Sequence, residues 1–470
     1  MSLVCAKAPL PDPFDPIRKE ISVRLEAKTL PSFAIAVVKG GKVIWEEGFG
    51  FSDIENRKPA NPHTIYAIAS VSKSITSTAA YILSRQGKLN LNEKLGVSLR
   101  GSKRTWLKAL ANVTPIELMD MRGGLPHLWF FEWSDEADAP SCQDLLDKYA
   151  FVAFEPGSTF HYSNLSLGAL GGVLEERLRR PLFDVMKTTV FDPLGMNRTF
   201  LRIPKATDNV AKRYNRAGSY MGSFNLEPAG GAGYYSTAHD LALYMLYHLG
   251  AAKPGLPSTI LNDVHGKQGY HYGWGNGNDL GITSAVSDGN VVGGSAFIKI
   301  LPSEGVGVVG LSNYSGIDGF VQHIVEETAF LAVPGYRERS ETARKGRQLP
   351  EDYRESKFIV DEAMQGVWKG AIRVDRKNVP ISITFNADGS AVVMIDGKSA
   401  PASDLVLDGT TVRGRVEQAL PTTAFAEAHA LGFFIKRFDS KITGYFMAES
   451  QKARSKFGLP FFVSLSKEHQ

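Results

Sequence analysis

Cysteine, metal-ligand patterns and surplus charge are scarce in this sequence, and each scarcity excludes a class of protein. The 470 residues include only Cys5 and Cys142, too few for a disulfide framework and without a C-x-x-C pair, although one disulfide stays open. The ten histidines show no H-E-x-x-H spacing, so we expect neither metal nor cofactor. The net charge is only +4, with no run of five like charges, so nucleic acid is not an expected partner.

Long hydrophobic runs are also absent. No apolar stretch approaches the ~18 residues of a membrane-spanning helix, so we expect no membrane span. The first residues, MSLVCAKAPLPDPFDP, lack the basic start and apolar run of a secretory signal. The sequence as written predicts a cytoplasmic protein, and a periplasmic or secreted one if a signal has been removed. The oligomeric state is left open.

The composition that is present is globular, with 43% hydrophobic and 22% charged residues. Residues 33–50 predict a hairpin that turns at Gly40 and Gly41, and 291–300 and 305–312 predict two further strands. Helical spacing of apolar residues predicts helices at 71–86, 115–121, 142–149, 166–178, 183–190, 237–249 and 317–332. Strands at both ends of a helical middle indicate an α+β fold, an α/β sandwich in which helices flank an antiparallel sheet and form an inserted lobe. We expect a cleft where lobe and sheet meet.

The length predicts more than one domain. Residues 1–335 form the first predicted domain, and the polar, charged segment 336–362 is predicted as a linker. From 363 to 470 the sequence changes to short strand-like runs such as VPISITF, AVVMID and GFFIKRF. Their close spacing predicts a small antiparallel all-β barrel.

The first candidate for chemistry is the cluster Ser70-Val71-Ser72-Lys73 at the start of a predicted apolar helix. Residues three apart lie on one helical face, so the amine can reach the hydroxyl. A neutral lysine can take the proton from a serine, provided that burial and the helix N-terminus lower its pKa from about 10.4. Taken alone, the pattern fits equally a helix start with an exposed lysine.

The second candidate is Tyr162-Ser163-Asn164, which precedes another apolar helix. A phenol beside Lys73 can relay a proton to a leaving group, and an amide can hydrogen-bond a substrate backbone. Taken alone, the triplet fits equally a helix cap formed by Ser163 or Asn164.

Several segments agree with one known family. IASVSKSITS, FEPGSTFHYSNLSLGALGGVLEE, FDPLGMNRT, PAGGAGYYSTAHDLALYML and GVGVVGLSN follow one another over about residues 15–335. Together they resemble the class C beta-lactamase-related serine hydrolases of the serine beta-lactamase and penicillin-binding-protein superfamily. The resemblance implies that Ser70 is the acylated nucleophile, Lys73 its partner and Tyr162 the base or proton relay, while Asn164 orients the acyl group. The C-terminal strands, with Gly366-Val367-Trp368, resemble the lipocalin-like barrel attached to some members.

The resemblance also implies a third motif, Lys-Thr-Gly or His-x-Gly, on a strand that lines the site. Counting back from VVGGSAFIKILP places it on Ser287-Asp288-Gly289, so Ser287 replaces the usual cation. The backbone N–H groups of Ser70 and Asn290 would then form the oxyanion hole. A missing cation weakens the case for beta-lactams, because the cation normally helps to hold a substrate carboxylate.

A further departure is Met121-Arg122-Gly123-Gly124-Leu125, where relatives usually show His-Thr-Ser-Gly-Leu. It fits a loop that needs glycines for its turn as well as a functional segment. The aromatic stretch His127 to Trp133 fits either a substrate pocket or core packing.

These observations predict a serine hydrolase that acts through an acyl-enzyme on an ester, an amide or a small peptide, with a small molecule or peptide as its partner. The alternative within enzymes is a beta-lactamase or D,D-peptidase. The alternative from another class is a penicillin-binding or ligand-sensing protein that acylates without turnover.

Overall fold

A computed structural model describes residues 12–132, 140–222, 225–251, 255–264, 267–346, 355–375, 377–422, 430–451 and 455–468. Cys5 and Trp133 lie outside these residues, and Cys142 is a free thiol. Within the described part of the chain, no helix is both long and apolar enough to cross a membrane.

Twelve described strands precede residue 313. They are β1 (Ser32–Lys39), β2 (Lys42–Asp53), β3 (Lys58–Pro59), β4 (Tyr66–Ala67), β5 (Trp129–Glu132), β6 (Asn225–Glu227), β7 (Tyr235–Ser236), β8 (Gly269–His271), β9 (Trp274–Asp279), β10 (Ile282–Val291), β11 (Gly294–Leu301) and β12 (Val306–Ser312).

The described helices all lie before residue 347. They are α1 (Asp15–Glu26), α2 (Ser72–Arg85), α3 (Leu95–Ser98), α4 (Thr105–Ala109), α5 (Pro115–Met119), α6 (Cys142–Tyr149), α7 (Asn164–Leu178), α8 (Leu182–Met186), α9 (Asp192–Leu194), α10 (Ala229–Ala232), α11 (Ala238–His248), α12 (Leu261–Val264), α13 (Asp318–Ala332) and α14 (Tyr336–Gly346). A π-helical turn, Lys187–Phe191, joins α8 to α9.

The central sheet is built from distant parts of the chain, as predicted. Its order is β3-β2-β1-β12-β11-β10-β9-β8, and β1 lies antiparallel to β12. The predicted hairpin is β1–β2, with Lys39 opposite Lys42. The predicted strand at 291–300 begins later, because residues between Val291 and Gly294 turn the chain from β10 into β11 and Gly293 takes a φ of 72° there.

Helices cover both faces of this sheet. Residues of α1 and α13, such as Ile21 and Ile324, pack with Phe33 and Val308 in one buried cluster. On the other face, α2, α7 and α11 pack in a second and larger cluster. β1 shows why both faces are covered: seven of its eight residues are buried, so the strand cannot have a solvent side. The α+β class predicted from the sequence is therefore confirmed.

The C-terminal strands close into a barrel. They are β14 (Gly366–Val374), β15 (Lys377–Phe385), β16 (Ala391–Ile395), β17 (Lys398–Asp408), β18 (Thr411–Val416), β19 (Ala430–Phe438), β20 (Lys441–Gln451) and β21 (Ser455–Lys467). Neighbours in sequence pair antiparallel, and β21 pairs with β14 to close the ring of eight strands. The lipocalin-like barrel expected from the sequence is confirmed. A short strand, β13 (Glu355–Lys357), pairs with β17.

The predicted linker, 336–362, contains α14 and β13. Tyr336 of α14 is fully buried against the helices of the first domain. The domain boundaries at 335 and 363 stay a prediction.

The barrel and the first domain share one sheet. β21 pairs with β5 over Ser455–Gly458, and β5 pairs in turn with β6. The stretch that follows His127 is therefore a strand that joins two domains, and neither of the two interpretations made from the sequence included this.

Candidate active site

Ser70 lies on a strained turn just before a buried helix. Ala69 takes a positive φ of 44°, a conformation that non-glycine residues rarely adopt. A 3-10 turn, Ala69–Val71, then leads into α2. The Ser72 hydroxyl stabilises this turn, since it donates to the Ala69 carbonyl at 2.5 Å and accepts from the Tyr234 N–H at 3.1 Å.

Lys73 is buried, and its amine has three hydrogen-bond partners. Only 1% of its surface is exposed. The Nζ atom lies 2.8 Å from Ser70 Oγ, 2.6 Å from Asn164 Oδ1 and 2.7 Å from the Gly231 carbonyl oxygen. Burial lowers the pKa of Lys73 to about 7, against a smaller opposing effect of the Asp288 charge. Near neutral pH the amine can therefore exist with or without its third proton.

Two of these acceptors, on Asn164 and Gly231, fix the orientation of the Lys73 amine. The Asn164 amide oxygen and the Gly231 carbonyl can only accept hydrogen bonds, so they occupy two N–H groups. The remaining position of the nitrogen faces Ser70. In the neutral amine that position is a lone pair, which can receive the serine proton.

Tyr162 lies on the other side of Ser70. Its hydroxyl is 2.6 Å from Ser70 Oγ, and the Lys73 amine lies 4.7 Å from the centre of its ring. The residue is 41% exposed. Desolvation by the surrounding protein raises the pKa of Tyr162 to about 12. The phenol is therefore neutral at ordinary pH and can donate a proton.

Asn164 and Gly231 are brought to Lys73 by different helices. Asn164 is the first residue of α7, and the Ser163 side chain caps that helix by accepting from the Ser166 N–H. Gly231 lies on α10, where a Cβ would come within 2.6 Å of the Asn164 carbonyl oxygen. Sequence reasoning missed the Gly231 carbonyl, although the segment PAGGAG was among those that carried the family resemblance.

The segment predicted as the third motif lies on β10, close to Ser70. A Cβ on Gly289 would lie 2.2 Å from the Ile68 carbonyl oxygen and 2.9 Å from the Ser70 nitrogen, so only glycine allows this approach. Along the strand, Ser287 and Gly289 are buried, whereas Asp288 and Asn290 are exposed. Asp288 is near enough to raise the pKa of both Lys73 and Tyr162.

Two histidines and a barrel tyrosine form a network behind Tyr162 that the sequence did not reveal. The Tyr445 hydroxyl of β20 accepts from the His127 N–H at 3.3 Å and lies 2.7 Å from Nε2 of His161. The His127 ring lies 5.3 Å from the Tyr162 ring and accepts from the Asn164 N–H through Nδ1. Burial lowers the pKa of His127 to about 3 and that of His161 to about 4, so both rings are neutral near pH 7.

The loop Met121–Leu125 holds the segment that bears Tyr162. Its Met121 carbonyl accepts from the His161 N–H at 2.9 Å, and its Gly124 carbonyl accepts from the Ala153 N–H at 2.8 Å. Gly124 has a φ of 72°, and a Cβ there would lie 1.9 Å from the Phe154 carbonyl oxygen. The glycine is therefore needed for packing, which supports the interpretation of this loop as structural.

One group of side chains in the described part of the chain could hold a metal ion. Glu46, His63 and His239 bring one ligand atom each within 4.8 Å of one another. The group lies apart from Ser70, since three strands separate β2 from β10 in the sheet. Its closest contact, 2.9 Å between Glu46 and Nδ1 of His239, is an ordinary ion pair or hydrogen bond.

The fold, with Ser70, Lys73 and Tyr162 in contact, defines the class of the serine beta-lactamases and penicillin-binding proteins. Residues 17–326, more than half of the chain, match the Beta-lactamase family. The chain therefore belongs to the Beta-lactamase family, and the resemblance inferred from its motifs is confirmed.

Individual relatives are distant. Protein flp of Staphylococcus aureus is 25% identical over 333 residues, which cover 66% of this chain and 65% of flp. The chain thus spans somewhat less than two thirds of that relative. The octameric penicillin-binding protein homologue from Pyrococcus abyssi is 19% identical with a TM-score of 0.56, covering 94% of this chain and 99% of that one. The class C beta lactamase from Rhodobacter sphaeroides is 22% identical with a TM-score of 0.54, covering 67% and 99%. These structures are alike in fold.

Replacing Gly124 by alanine should destabilise the protein far more than the same change at Gly87. The two glycines have nearly equal φ values, 72° and 71°, but nothing lies within 4 Å of a Cβ on Gly87. We expect Gly87→Ala to lower the free energy of unfolding by about 1 kcal/mol, because alanine is strained in a left-handed backbone conformation. Gly124→Ala should lower it by at least about 3 kcal/mol, because the clash adds to that strain. Urea unfolding measures both, and equal losses would contradict the packing role.

Replacing Tyr445 by phenylalanine should slow reaction at Ser70 although the residue lies in the barrel. The lost hydroxyl contacts His127 and His161, and one buried hydrogen bond of about 1 kcal/mol corresponds to a roughly fivefold effect. Tyr214→Phe is the matched control, since that hydroxyl also accepts from a backbone N–H, that of Ile54, and donates to Glu55. The rate of fluorophosphonate labelling is the measurement; equal slowing in both variants would refute a positioning role for Tyr445.

Proposed function

We propose that this protein is a serine hydrolase that acts through a covalent acyl-enzyme on an ester, an amide or a small peptide. One observation carries the proposal: Ser70 Oγ lies within hydrogen-bonding distance of both the Lys73 amine and the Tyr162 hydroxyl. A serine placed between a buried amine with a lowered pKa and a neutral phenol has a proton acceptor and a proton donor at hand.

The proton steps follow from the pKa values of the two partners. Ser70 Oγ attacks the substrate carbonyl, and its proton passes to the neutral Lys73 amine. When the tetrahedral intermediate collapses, the bond to the leaving group breaks and the leaving group takes a proton from Tyr162. The proton on Lys73 restores the phenol. Water then attacks the acyl-enzyme in the reverse sense, which releases the acid and returns the proton to Ser70.

The negative charge of each tetrahedral intermediate must be stabilised by hydrogen-bond donors. The N–H groups of Ser70 and Asn290 are proposed to supply them, because the Gly289 backbone approaches Ser70 so closely. Losing one such donor typically costs about 3 kcal/mol of transition-state stabilisation. Asn164 is proposed to bind the acyl group as well as to hold Lys73 in place.

A beta-lactamase or D,D-peptidase would use the same acyl-enzyme, but Ser287 argues against it. The buried Ser287 side chain offers no positive charge to a substrate carboxylate. Nitrocefin, a D-Ala-D-Ala peptide and a fluorogenic ester assayed together separate these activities. Rapid nitrocefin hydrolysis without esterase activity would reverse the ranking, and a stable adduct without turnover of any compound would favour a sensor.

Ser70 should be the residue that reacts with a fluorophosphonate. We expect one adduct on the wild-type protein by mass spectrometry and none on Ser70→Ala, because no other hydroxyl contacts the Lys73 amine in the described residues. Ser74→Ala is the matched control, a buried serine on the same helix whose hydroxyl donates to the Val71 carbonyl. Labelling of Ser70→Ala would contradict the proposal.

The labelling rate should rise with pH through about 7. Below this value Lys73 holds its third proton and cannot accept another; above it the amine is free, so the rate increases and then levels off. Because the pKa of Tyr162 is about 12, its hydroxyl keeps its proton well above neutral pH. Deprotonation of Tyr162 should therefore not lower the labelling rate. A pH series from 5 to 10 tests this, and a rate that falls as the pH rises through 7 would exclude Lys73 as the base.

A further inference from the structure

An exposed carboxylate beside the candidate catalytic residues is not used in the proposed proton steps. Asp288 lies on β10 between Ser287 and Gly289, and its negative charge acts to raise the pKa of both Lys73 and Tyr162. Within the described chain, no lysine or arginine nitrogen forms an ion pair with it. It cannot be a counter-ion in contact with Lys73, because the hydrogens of that amine point at Ser70, Asn164 and Gly231.

The strand that carries Asp288 has a free edge on the cleft side. β10 pairs with β9 only from Ile282 to Val286, whereas its pairing with β11 continues to Val291. From Ser287 onward, one edge is therefore unpaired among the described residues and lies beside Ser70. An extended substrate can hydrogen-bond to such an edge. Its carbonyl oxygen would then meet the Asn290 N–H.

Asp288 lies where its charge can distinguish cationic from anionic substrates. It stands two residues from Asn290 on the same exposed side of the strand, a separation of ~6.6 Å. A substrate group that extends this far back along the edge, on the face of the strand turned away from the Ile68 carbonyl, would lie near the carboxylate. A carboxylate at this point attracts a cation and repels an anion.

The groove that begins at Asp288 is lined by more negative than positive side chains. It encloses about 650 Å³ and is also lined by Asp279, Lys299, Glu326 and Arg344, of which Asp279 and Lys299 are largely buried. Three carboxylates thus face two cations, and both cations lie beside Glu326, Lys299 at 3.8 Å and Arg344 at 2.8 Å. Asp318, at the start of α13, adds further negative charge near Asp288.

We infer that Asp288 forms a subsite for a positively charged amine, and that the protein acts on acyl compounds which carry a free primary amine near the reacting carbonyl. The inference rests on the proposed serine hydrolase activity and names its substrate class. It assigns to Asp288 the opposite charge preference from that of a site in which a lysine holds a substrate carboxylate.

Three matched phenylboronic acids test the subsite without requiring turnover. Boronic acids bond reversibly to a reactive serine, and the 3-aminomethyl, 3-hydroxymethyl and 3-carboxy compounds differ mainly in charge. Protection of Ser70 from a fluorophosphonate gives an affinity for each compound. In the wild-type protein we expect the aminomethyl compound to bind about fivefold more tightly than the hydroxymethyl compound, and the carboxy compound to bind most weakly.

The variants isolate the charge of Asp288. Asp288→Asn should reduce the preference for the aminomethyl compound to twofold or less, Asp288→Glu should keep it, and Asp288→Lys should favour the carboxy compound. Glu304→Gln, which removes an exposed carboxylate in the turn between β11 and β12, should leave the preference unchanged. Asp288→Asn should also shift the labelling profile to lower pH, because the ammonium form of Lys73 loses a stabilising charge.

The outcomes separate the two proposals. If Ser70 is labelled but the wild-type protein binds the aminomethyl and hydroxymethyl compounds equally, or if the preference survives in Asp288→Asn, the amine subsite is wrong and the hydrolase proposal stands. If Ser70 takes no label at any pH, the proposed hydrolase activity fails and the subsite fails with it. Thermal unfolding of each variant shows that the comparison is made between folded proteins.

Discussion

The burial of one amine organises this active site. Lys73 lies in the protein interior, where a full positive charge is costly, yet it needs hydrogen-bond acceptors that only backbone and amide groups supply there. Asn164 of α7 and Gly231 of α10 meet this need. These helices must therefore pack closely against α2, which agrees with the glycines of α10 and with the burial of most of α2 and α7. The lowered pKa of the amine, on which its proposed role as a base depends, is a consequence of the same packing.

The barrel contributes to the candidate site through Tyr445. The Tyr162 hydroxyl meets Ser70 and its ring lies against His127, while the Tyr445 hydroxyl joins His127 to His161, the residue before Tyr162. The proposed proton donation by the phenol at one point in space needs a fixed ring. The structure obtains this rigidity from a residue that is 284 positions away from His161 in the chain.

The sequence predicted what depends on local spacing. Ser70 and Lys73 are one helical turn apart, and Tyr162 lies just before another apolar helix, so pattern and family resemblance pointed to these residues. The structure places Ser70 Oγ within hydrogen-bonding distance of both partners. Counting back along a strand placed Ser287 to Asn290, and β10 carries them opposite Ser70. The roles of these residues stay predictions. The Gly231 carbonyl and Tyr445 could not be predicted, because a backbone oxygen has no sequence signature and a pairing across domains depends on register. The strand after His127 could not be predicted for the same reason.

The shared sheet makes the two halves of the chain difficult to separate. β5 lies between β21 of the barrel and β6 of the first domain, so three of its four residues have a backbone partner on each side. A fragment that ended before the barrel would leave one edge of β5 unsatisfied, and unsatisfied sheet edges recruit other chains. The barrel thus pairs an edge of β5 that the first domain alone would leave open, and a transplanted first domain would need a substitute strand in the same register to pair that edge.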